Sequence, residues 1–213
     1  MTEVELISVS KRYGDFVALD DISIGFRKEK ITAIIGRSGS GKSTLLKSIN
    51  GLVKPTSGKV LISGQPAIDR TKIGYVIQGN GLFPHLTVGE NISIPGRIVG
   101  KANPARVNEL LSFTDLPGKY IDKYPFELSG GEQQRVAICR ALFLNPPVLL
   151  MDEPFAALDT YTRGDLQQKL LELRDAFRLT IIIVTHDIPE ATRLADDILV
   201  LAGGRVQQFG PAV

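Results

Sequence analysis

A glycine-rich segment with a single lysine constrains the fold of this chain more than any other feature. The segment GRSGSGKST occupies residues 36–44, after the β-branched run ITAII and before the helix-like run TLLKSIN. It fits the pattern G-x-x-x-x-G-K-[S/T] at Gly36, Gly41, Lys42 and Ser43. A strand, a glycine turn and a helix in this order predict an α/β unit whose helix N-terminus and loop amides favour phosphate.

The residue types of this loop suit a nucleotide. The lysine would reach the β- and γ-phosphates, and the hydroxyl of the serine after it would bind Mg²⁺. A flexible glycine-serine turn with a chance lysine is the alternative, but both spacing and context favour the phosphate loop. The predicted nucleotide contacts are Gly36, Ser38, Gly39, Ser40, Gly41, Lys42, Ser43 and Thr44.

Composition narrows the class of protein. The chain has 213 residues with 43% hydrophobic content and a formal net charge of +2, so its charge balance implies no polybasic surface for nucleic acid or membrane. Its one cysteine, Cys139, cannot form an internal disulfide and fits a reducing compartment. The start MTEVELISVS lacks the pattern of a secretory leader, and all apolar runs are far shorter than the roughly 18 residues of a membrane span. We therefore expect a chain that is soluble by itself.

The order of predicted elements indicates one α/β domain with a helical insertion. β-rich runs fill the first third of the chain, and helix-like segments with several prolines run from about residue 79 to 145. We expect an α/β core of residues 1–78 and 146–213 around a helical subdomain of residues 79–145. Leucines at helical spacing predict a helix over 160–178, and Gly203-Gly204 predicts a hairpin. Alternating strands and helices favour a largely parallel sheet.

Polar side chains follow two later apolar runs. VLLMDE ends in Asp152 and Glu153, and TIIIVTHD carries His186. Active-site groups gather at the carboxyl ends of parallel strands. Asp152 is therefore predicted to hold Mg²⁺ through water, Glu153 to orient the attacking water or accept its proton, and His186 to donate to the γ-phosphate. A solvated acidic turn and a structural histidine are the alternatives. His85 is expected to lie at the surface, and Cys139 to be buried packing without chemistry.

A second glycine turn, LSGGEQQR at residues 128–135, is also typical of phosphate binding, and one small domain has no evident need for two such turns. Together with the P-loop, VLLMDEP, ALD and THD in this order, it resembles the nucleotide-binding domain of ATP-binding-cassette (ABC) transporters over essentially the whole chain. The resemblance implies a P-loop NTPase core with a mixed sheet, an antiparallel β subdomain and an inserted helical subdomain. It implies ATP hydrolysis with ATP and Mg²⁺ as ligands.

The resemblance also resolves the question of the two turns. In that family two domains pack head to tail, so Ser129, Gly130 and Gly131 would contact the ATP held by a second copy. Tyr13 matches the aromatic that stacks on adenine. Gln78 matches the glutamine that touches Mg²⁺ or the attacking water and leads into the helical subdomain. Asp159 matches a loop that crosses the dimer interface, where this chain has Ala156 in place of a frequent serine.

The stretch IGYVIQGNGLFPHLTVGENI resembles bacterial importer ATPases, most of all the osmoprotectant (glycine betaine, choline, proline) group. Similar stretches occur in amino-acid, polyamine and iron importers, so the resemblance implies an osmoprotectant or an amino-acid-like cargo. It also implies a second nucleotide-binding domain, an integral-membrane permease and a solute-binding protein as partners, no nucleic acid, and a place on the cytoplasmic face of the membrane through the permease. The group often has a C-terminal regulatory extension, so we expect a shorter form or a truncated chain. An exporter or lipid-handling ATPase and a soluble ABC protein acting on ribosomes or DNA are the alternatives.

Overall fold

A mostly parallel sheet of six strands forms the centre of the computed structural model, which describes residues 1–67 and 69–212. The strand order is β10-β9-β3-β8-β7-β6, and only the β9–β10 pair is antiparallel. The strands are β3 (Ile31–Ile35), β6 (Ile73–Val76), β7 (Val148–Asp152), β8 (Thr180–Val184), β9 (Asp197–Ala202) and β10 (Arg205–Pro211). The predicted parallel sheet and the hairpin at Gly203-Gly204 are confirmed.

A second sheet is antiparallel and has the order β2-β1-β4-β5. Its strands are β1 (Thr2–Tyr13), β2 (Phe16–Arg27), β4 (Ser57–Ile62) and β5 (Gln65–Pro66). The first two strands are each 12 residues long and join through a short turn at Gly14-Asp15. The mixed architecture with an antiparallel β portion, expected from the resemblance, is therefore present.

Six α-helices accompany these sheets in the described part of the chain. They are α1 (Lys42–Ile49), α2 (Val88–Ile98), α3 (Pro104–Phe113), α4 (Gly130–Leu142), α5 (Thr160–Phe177) and α6 (Ile188–Leu194). Three short 3₁₀ helices lie at Arg70–Lys72, Gly118–Tyr120 and Pro125–Glu127. Helices α2, α3 and α4 contact one another, and no residue of the fully described stretch 79–145 is in a strand. We infer that these helices form the inserted subdomain.

Both faces of the large sheet are buried. On one face, Leu150 of β7 packs in a cluster with Leu45 and Leu46 of α1. On the other face, Leu149 and Met151 of β7 pack in a cluster with the leucines of α5 and with the helical segment 79–145. Successive strand residues point to opposite faces, so a continuous apolar strand needs cover on both sides. The predicted helix 160–178 is confirmed as α5.

No helix in residues 1–67 and 69–212 is long and apolar enough to cross a lipid bilayer.

Candidate nucleotide site

Part of the predicted site converges because three strands end at one edge of the sheet. Ile34 of β3 pairs with Val184 of β8, and Val184 pairs in turn with Asp152 of β7. The chain leaves these three parallel strands at neighbouring points, so the P-loop, the acidic pair and His186 meet there. This is the edge at which ligands bind in parallel α/β sheets.

The glycines of the P-loop allow a backbone path that other residues could not follow. Gly41 precedes α1 with φ 105°, and a Cβ atom on it would lie 2.6 Å from the carbonyl oxygen of Ala18. A Cβ atom on Gly36 would lie 2.2 Å from the carbonyl oxygen of Leu201. Both approaches are too close for any side chain, so the loop is fixed tightly against β2 and β9 with the start of α1 open to a ligand.

Lys42 is held inside the loop that precedes it. Its Nζ donates hydrogen bonds to the carbonyl oxygens of Gly36 at 2.7 Å and Arg37 at 3.1 Å, and the side chain is buried. An ammonium bonded only to neutral carbonyls keeps a strong preference for an anion. The lysine is therefore placed where phosphate oxygens would meet both its charge and the α1 N-terminus.

An oxygen-donor pair lies beside the loop. The Ser43 hydroxyl donates to Asp152 Oδ1 at 3.3 Å, and Asp152 is only 5% exposed. Burial raises the pKa of Asp152, and the hydrogen bond from Ser43 opposes that rise. Burial and the neighbouring Asp152 carboxylate raise the pKa of Tyr75 to about 12. A hydroxyl and a carboxylate are ligands that suit Mg²⁺, so the donor chemistry fits the metal implied by the resemblance.

Glu153 bridges two other predicted site residues. Its Oε2 accepts a hydrogen bond of 3.0 Å from Gln78 Nε2, and its Oε1 lies 3.5 Å from His186 Nδ1. Its backbone has φ 49°, uncommon for a residue with a side chain, and its N–H donates to the Val184 carbonyl at 2.9 Å. The two carboxylates have different partners, since Asp152 accepts from Ser43 and Glu153 accepts from Gln78. Separate roles for the two acids stay a prediction.

A cavity of about 580 Å³ opens over the P-loop. Its walls include the loop, Gln78, Glu153 and His186. The lining residues are Phe16, Ala18, Gly36, Ser38, Gly39, Ser40, Gly41, Lys42, Ser43, Thr44, Gln78, Glu153 and His186. A cavity of this size falls in the range of small-molecule and cofactor sites.

Tyr13 does not line this cavity. It ends β1 opposite Phe16 in the register of the hairpin, is 50% exposed, and has Lys11 Nζ 4.8 Å from its ring centroid. The aromatic wall of the cavity is Phe16, which sequence reasoning missed. The available signal was its place three residues after Tyr13 across a two-residue turn. The stacking role of Tyr13 stays a prediction.

The second glycine turn lies elsewhere. Ser129 caps α4, accepting a hydrogen bond from the Glu132 N–H at 3.3 Å and donating one to the Glu132 carboxylate at 2.9 Å. A Cβ atom on Gly131 would lie 2.3 Å from Thr162 Cγ2, so this turn packs against the start of α5. Asp159 caps α5 by accepting from the N–H groups of Tyr161 and Thr162, each at 3.0 Å. The P-loop cavity is lined by none of Ser129, Gly130, Gly131 and Asp159.

His85 and Cys139 lie outside the site, and Tyr75 lies beside its Asp152. His85 is exposed and packs edge-on against Phe83, as expected of a surface residue. Cys139 is fully buried beside Thr114, as expected of packing. Tyr75, beside Asp152, was missed. Its signal was the β6–β7 register, which pairs it with Leu150, two residues before the acid.

A strand, a glycine loop and a helix, with acids and a histidine at adjacent strand ends, define a P-loop nucleotide-binding fold. The chain matches the family described as ABC transporter over residues 19–156. It is 44% identical to the choline transport ATP-binding protein OpuBA of Bacillus subtilis (strain 168), over 96% of this chain and 56% of that protein. It is 47% identical to the sulfate/thiosulfate import ATP-binding protein CysA of Synechocystis, over 96% of this chain and 59% of that protein.

A solved structure shares the fold at full length. The ATP-binding cassette MJ0796, in a dimeric post-hydrolysis state bound to ADP and phosphate, superposes with a TM-score of 0.86 at 35% identity, covering 99% of both chains. The chain therefore belongs to the ABC transporter family and has the fold of its ATP-binding cassette. It spans a little over half the length of the two curated relatives named above.

Proposed function

We propose that this chain is the ATP-hydrolysing domain of a membrane transporter. The observation that carries the proposal is the cavity in which the P-loop, Glu153 and His186 converge. Family membership supports ATP as the ligand, and the MJ0796 cassette of the same fold is described with ADP and phosphate bound. The reaction is ATP + H₂O → ADP + phosphate.

In this proposal the phosphates of ATP lie along the P-loop. Lys42 exchanges its hydrogen bonds to the loop carbonyls for bonds to the β- and γ-phosphate oxygens. The loop amides and the N-terminus of α1 bind the remaining phosphate oxygens. Tyr13 stacks on the adenine. Its place opposite Phe16, at the rim of the cavity, supports a base-binding position on this hairpin.

Mg²⁺ is assigned to Ser43, Asp152 and Gln78. The 3.3 Å contact of the Ser43 hydroxyl with Asp152 Oδ1 supports the first two, since it places the two oxygen ligands side by side. When bound, Mg²⁺ supplies positive charge that offsets the charge of the β- and γ-phosphates. Gln78 lines the same cavity as Ser43 and is hydrogen-bonded to Glu153, the residue after Asp152.

Hydrolysis is assigned to Glu153 and His186. Glu153 orients a water molecule whose oxygen bonds to the γ-phosphorus while the bond from that phosphorus to the β–γ bridging oxygen breaks. The proton released by the water passes to the carboxylate. His186, 3.5 Å from Glu153 Oε1, donates to a γ-phosphate oxygen and holds it in line. Catalysis is therefore positioning and charge stabilisation.

Two copies complete each site. Ser129, Gly130 and Gly131 of one copy contact the γ-phosphate held by the P-loop of the other, and Asp159 lies at the shared interface. Support comes from the separation of this turn from the P-loop cavity within one chain, and from the dimeric form of the MJ0796 cassette. Each copy then offers the same P-loop and Ser129 turn to the other, which makes the pair an isologous, closed arrangement. ATP closes the pair, and hydrolysis opens it.

The pair would power import through a separate permease. Choline and sulfate/thiosulfate transport proteins are among the relatives. We propose a small osmoprotectant as the cargo, with sulfate as the second candidate because of the 47% identity to CysA. The partners are a second nucleotide-binding domain, the permease and a solute-binding protein, and the chain lies on the cytoplasmic face of the membrane. The helical segment 79–145 transmits the movement.

The test is an affinity purification of this chain from detergent-solubilised membranes, followed by uptake of labelled choline and labelled sulfate in cells with and without the chain. Recovery of a multi-span permease with a solute-binding protein, and loss of choline uptake without the chain, supports the proposal. Loss of sulfate uptake alone identifies sulfate, the second candidate, as the cargo. Recovery of a permease without a binding protein favours an exporter or lipid-handling system, and recovery of ribosomal or DNA-associated proteins overturns transport.

A further inference from the structure

The turn that follows Gln78 has an unusual backbone. Gly79, Asn80 and Gly81 all adopt left-handed conformations, with φ of 74°, 65° and 57°. Glycine adopts this region without steric cost, whereas Asn80 has a side chain and adopts it at a cost that contacts elsewhere can offset. Within the turn, the Gly81 N–H donates to the Gly79 carbonyl at 2.7 Å. A Cβ atom on Gly81 would lie 2.3 Å from Cδ1 of the exposed Ile77 side chain, which would have to move, and the φ of 57° itself favours glycine at that position.

Arg140 of α4 supplies external support for this turn. Its Nη1 donates to the Gly81 carbonyl at 2.7 Å and its Nη2 to the Asn80 carbonyl at 2.9 Å. Burial lowers the pKa of the Arg140 guanidinium, and no carboxylate in the described residues offsets that effect. Partial burial of a cation costs free energy, and hydrogen bonds to neutral carbonyls offset that cost less well than a carboxylate would. Its two bonds do, however, fix the Asn80–Gly81 and Gly81–Leu82 peptide groups.

The turn is connected to the candidate catalytic carboxylate of Glu153 through Gln78. Gln78 lies one residue before the turn, is exposed, and donates to Glu153 Oε2 at 3.0 Å. An exposed glutamine side chain has several rotamers, and its backbone position decides whether the amide reaches Glu153. A turn held at Asn80 and Gly81 limits where the Cα atom of Gln78 can lie.

We propose that Arg140 is a positioning residue for Glu153: it fixes the left-handed turn 79–81 and thereby keeps the Gln78 amide on the carboxylate. The inference rests on the proposed function, because it assigns Arg140 to the same site. Arg140 lies on the helix that Ser129 caps, so the turn that contacts the second copy and the turn that follows Gln78 are attached to one rigid element. A displacement of α4 therefore moves the Gln78 contact as well.

The first test measures the turn itself and needs no ATP. Arg140→Met keeps the length of the side chain and removes its donors. Arg106→Met is the matched control, since Arg106 is a buried arginine that donates to the Leu142 carbonyl at 3.1 Å without contacting the turn. Hydrogen–deuterium exchange of peptides covering residues 77–83 should rise by about tenfold in Arg140→Met and not in the control. Equal exchange in the two variants overturns the proposal.

The second test measures the connection to Gln78. We expect Arg140→Met to lower kcat for ATP hydrolysis by about tenfold with KM changed by less than about twofold. In a Gln78→Ala background the same substitution should change kcat by less than about twofold, because both act through one contact. Arg140→Lys should recover part of the loss. Multiplicative effects of the two substitutions overturn the positioning role. Absence of hydrolysis by the unsubstituted protein overturns the proposed function and leaves the exchange result standing.

Discussion

The Gln78 amide donates to Glu153 Oε2 at 3.0 Å although the two residues are 75 positions apart in the chain. Glu153 follows a strand of the sheet core, whereas Gln78 is the last residue before the helical segment 79–145. A rotation of that segment therefore changes the surroundings of the carboxylate. This contact therefore links the candidate catalytic group to the helical segment.

Glu153→Gln should abolish most hydrolysis and leave ATP binding intact. The amide keeps the size and shape of the side chain but cannot accept the proton of the attacking water, and general-base catalysis contributes about 10²- to 10⁴-fold. Phosphate release should fall by about 100-fold or more, and size-exclusion chromatography with ATP should show a stable dimer. The control is Glu172→Gln, on the exposed side of α5. Phosphate release at the unsubstituted rate would refute the role of Glu153.

Lys42→Ala should weaken ATP binding. Hydrogen bonds to charged groups contribute about 1.5–3 kcal/mol, so the dissociation constant should rise by about 10- to 100-fold. Isothermal titration calorimetry measures the change. Lys28→Ala is the matched control because Lys28 is exposed in the turn between β2 and β3. An unchanged ATP affinity in Lys42→Ala would contradict the position assigned to the ammonium.

The parts of the site that the sequence predicted are those with a local pattern. ITAII and GRSGSGKST occur within one short stretch, and the short-range rules for strands, glycine turns and helix starts predict β3, the loop and α1 without knowledge of the rest. Asp152, Glu153 and His186 were predictable because a parallel sheet brings the carboxyl ends of its strands together. Each of these inferences needs only the neighbours in sequence and one general property of sheets.

Two of the three parts that were missed depend on contacts between distant segments. The side chain of Arg140 reaches the turn 79–81 across 59 and 60 residues, so neither the left-handed turn nor its support has a local signal. Phe16 lines the cavity instead of Tyr13 because of the register of a hairpin. The positive φ of Glu153 follows from the bond of its N–H to Val184, on the neighbouring strand. Tertiary packing therefore decides the turn 79–81 and the backbone of Glu153, whereas Phe16 belongs to a local hairpin.

Cys139 should resist thiol reagents while the protein is folded. Burial raises the pKa of its thiol from 9.0 to about 12. The thiolate is the reactive form, so reaction with a disulfide reagent near pH 8 should be slower by about 100-fold or more than in urea. The unfolded chain loses this proton above about pH 9 and the folded chain keeps it to about pH 12, so this group lowers stability as pH rises through that window. Rapid reaction of the folded protein would contradict the buried position.

Mixing two inactive variants should restore part of the hydrolysis if each site takes its P-loop and its Ser129 turn from different copies. Lys42→Ala damages the P-loop, and Ser129→Arg blocks the second turn with a large cation. In a mixed dimer both defects fall on one site, and the other site has an intact P-loop and an intact turn. Random pairing makes half of the dimers mixed, so about a quarter of the unsubstituted activity should return. If both turns of one chain served the same nucleotide, every site in the mixture would carry a defect and no activity would return.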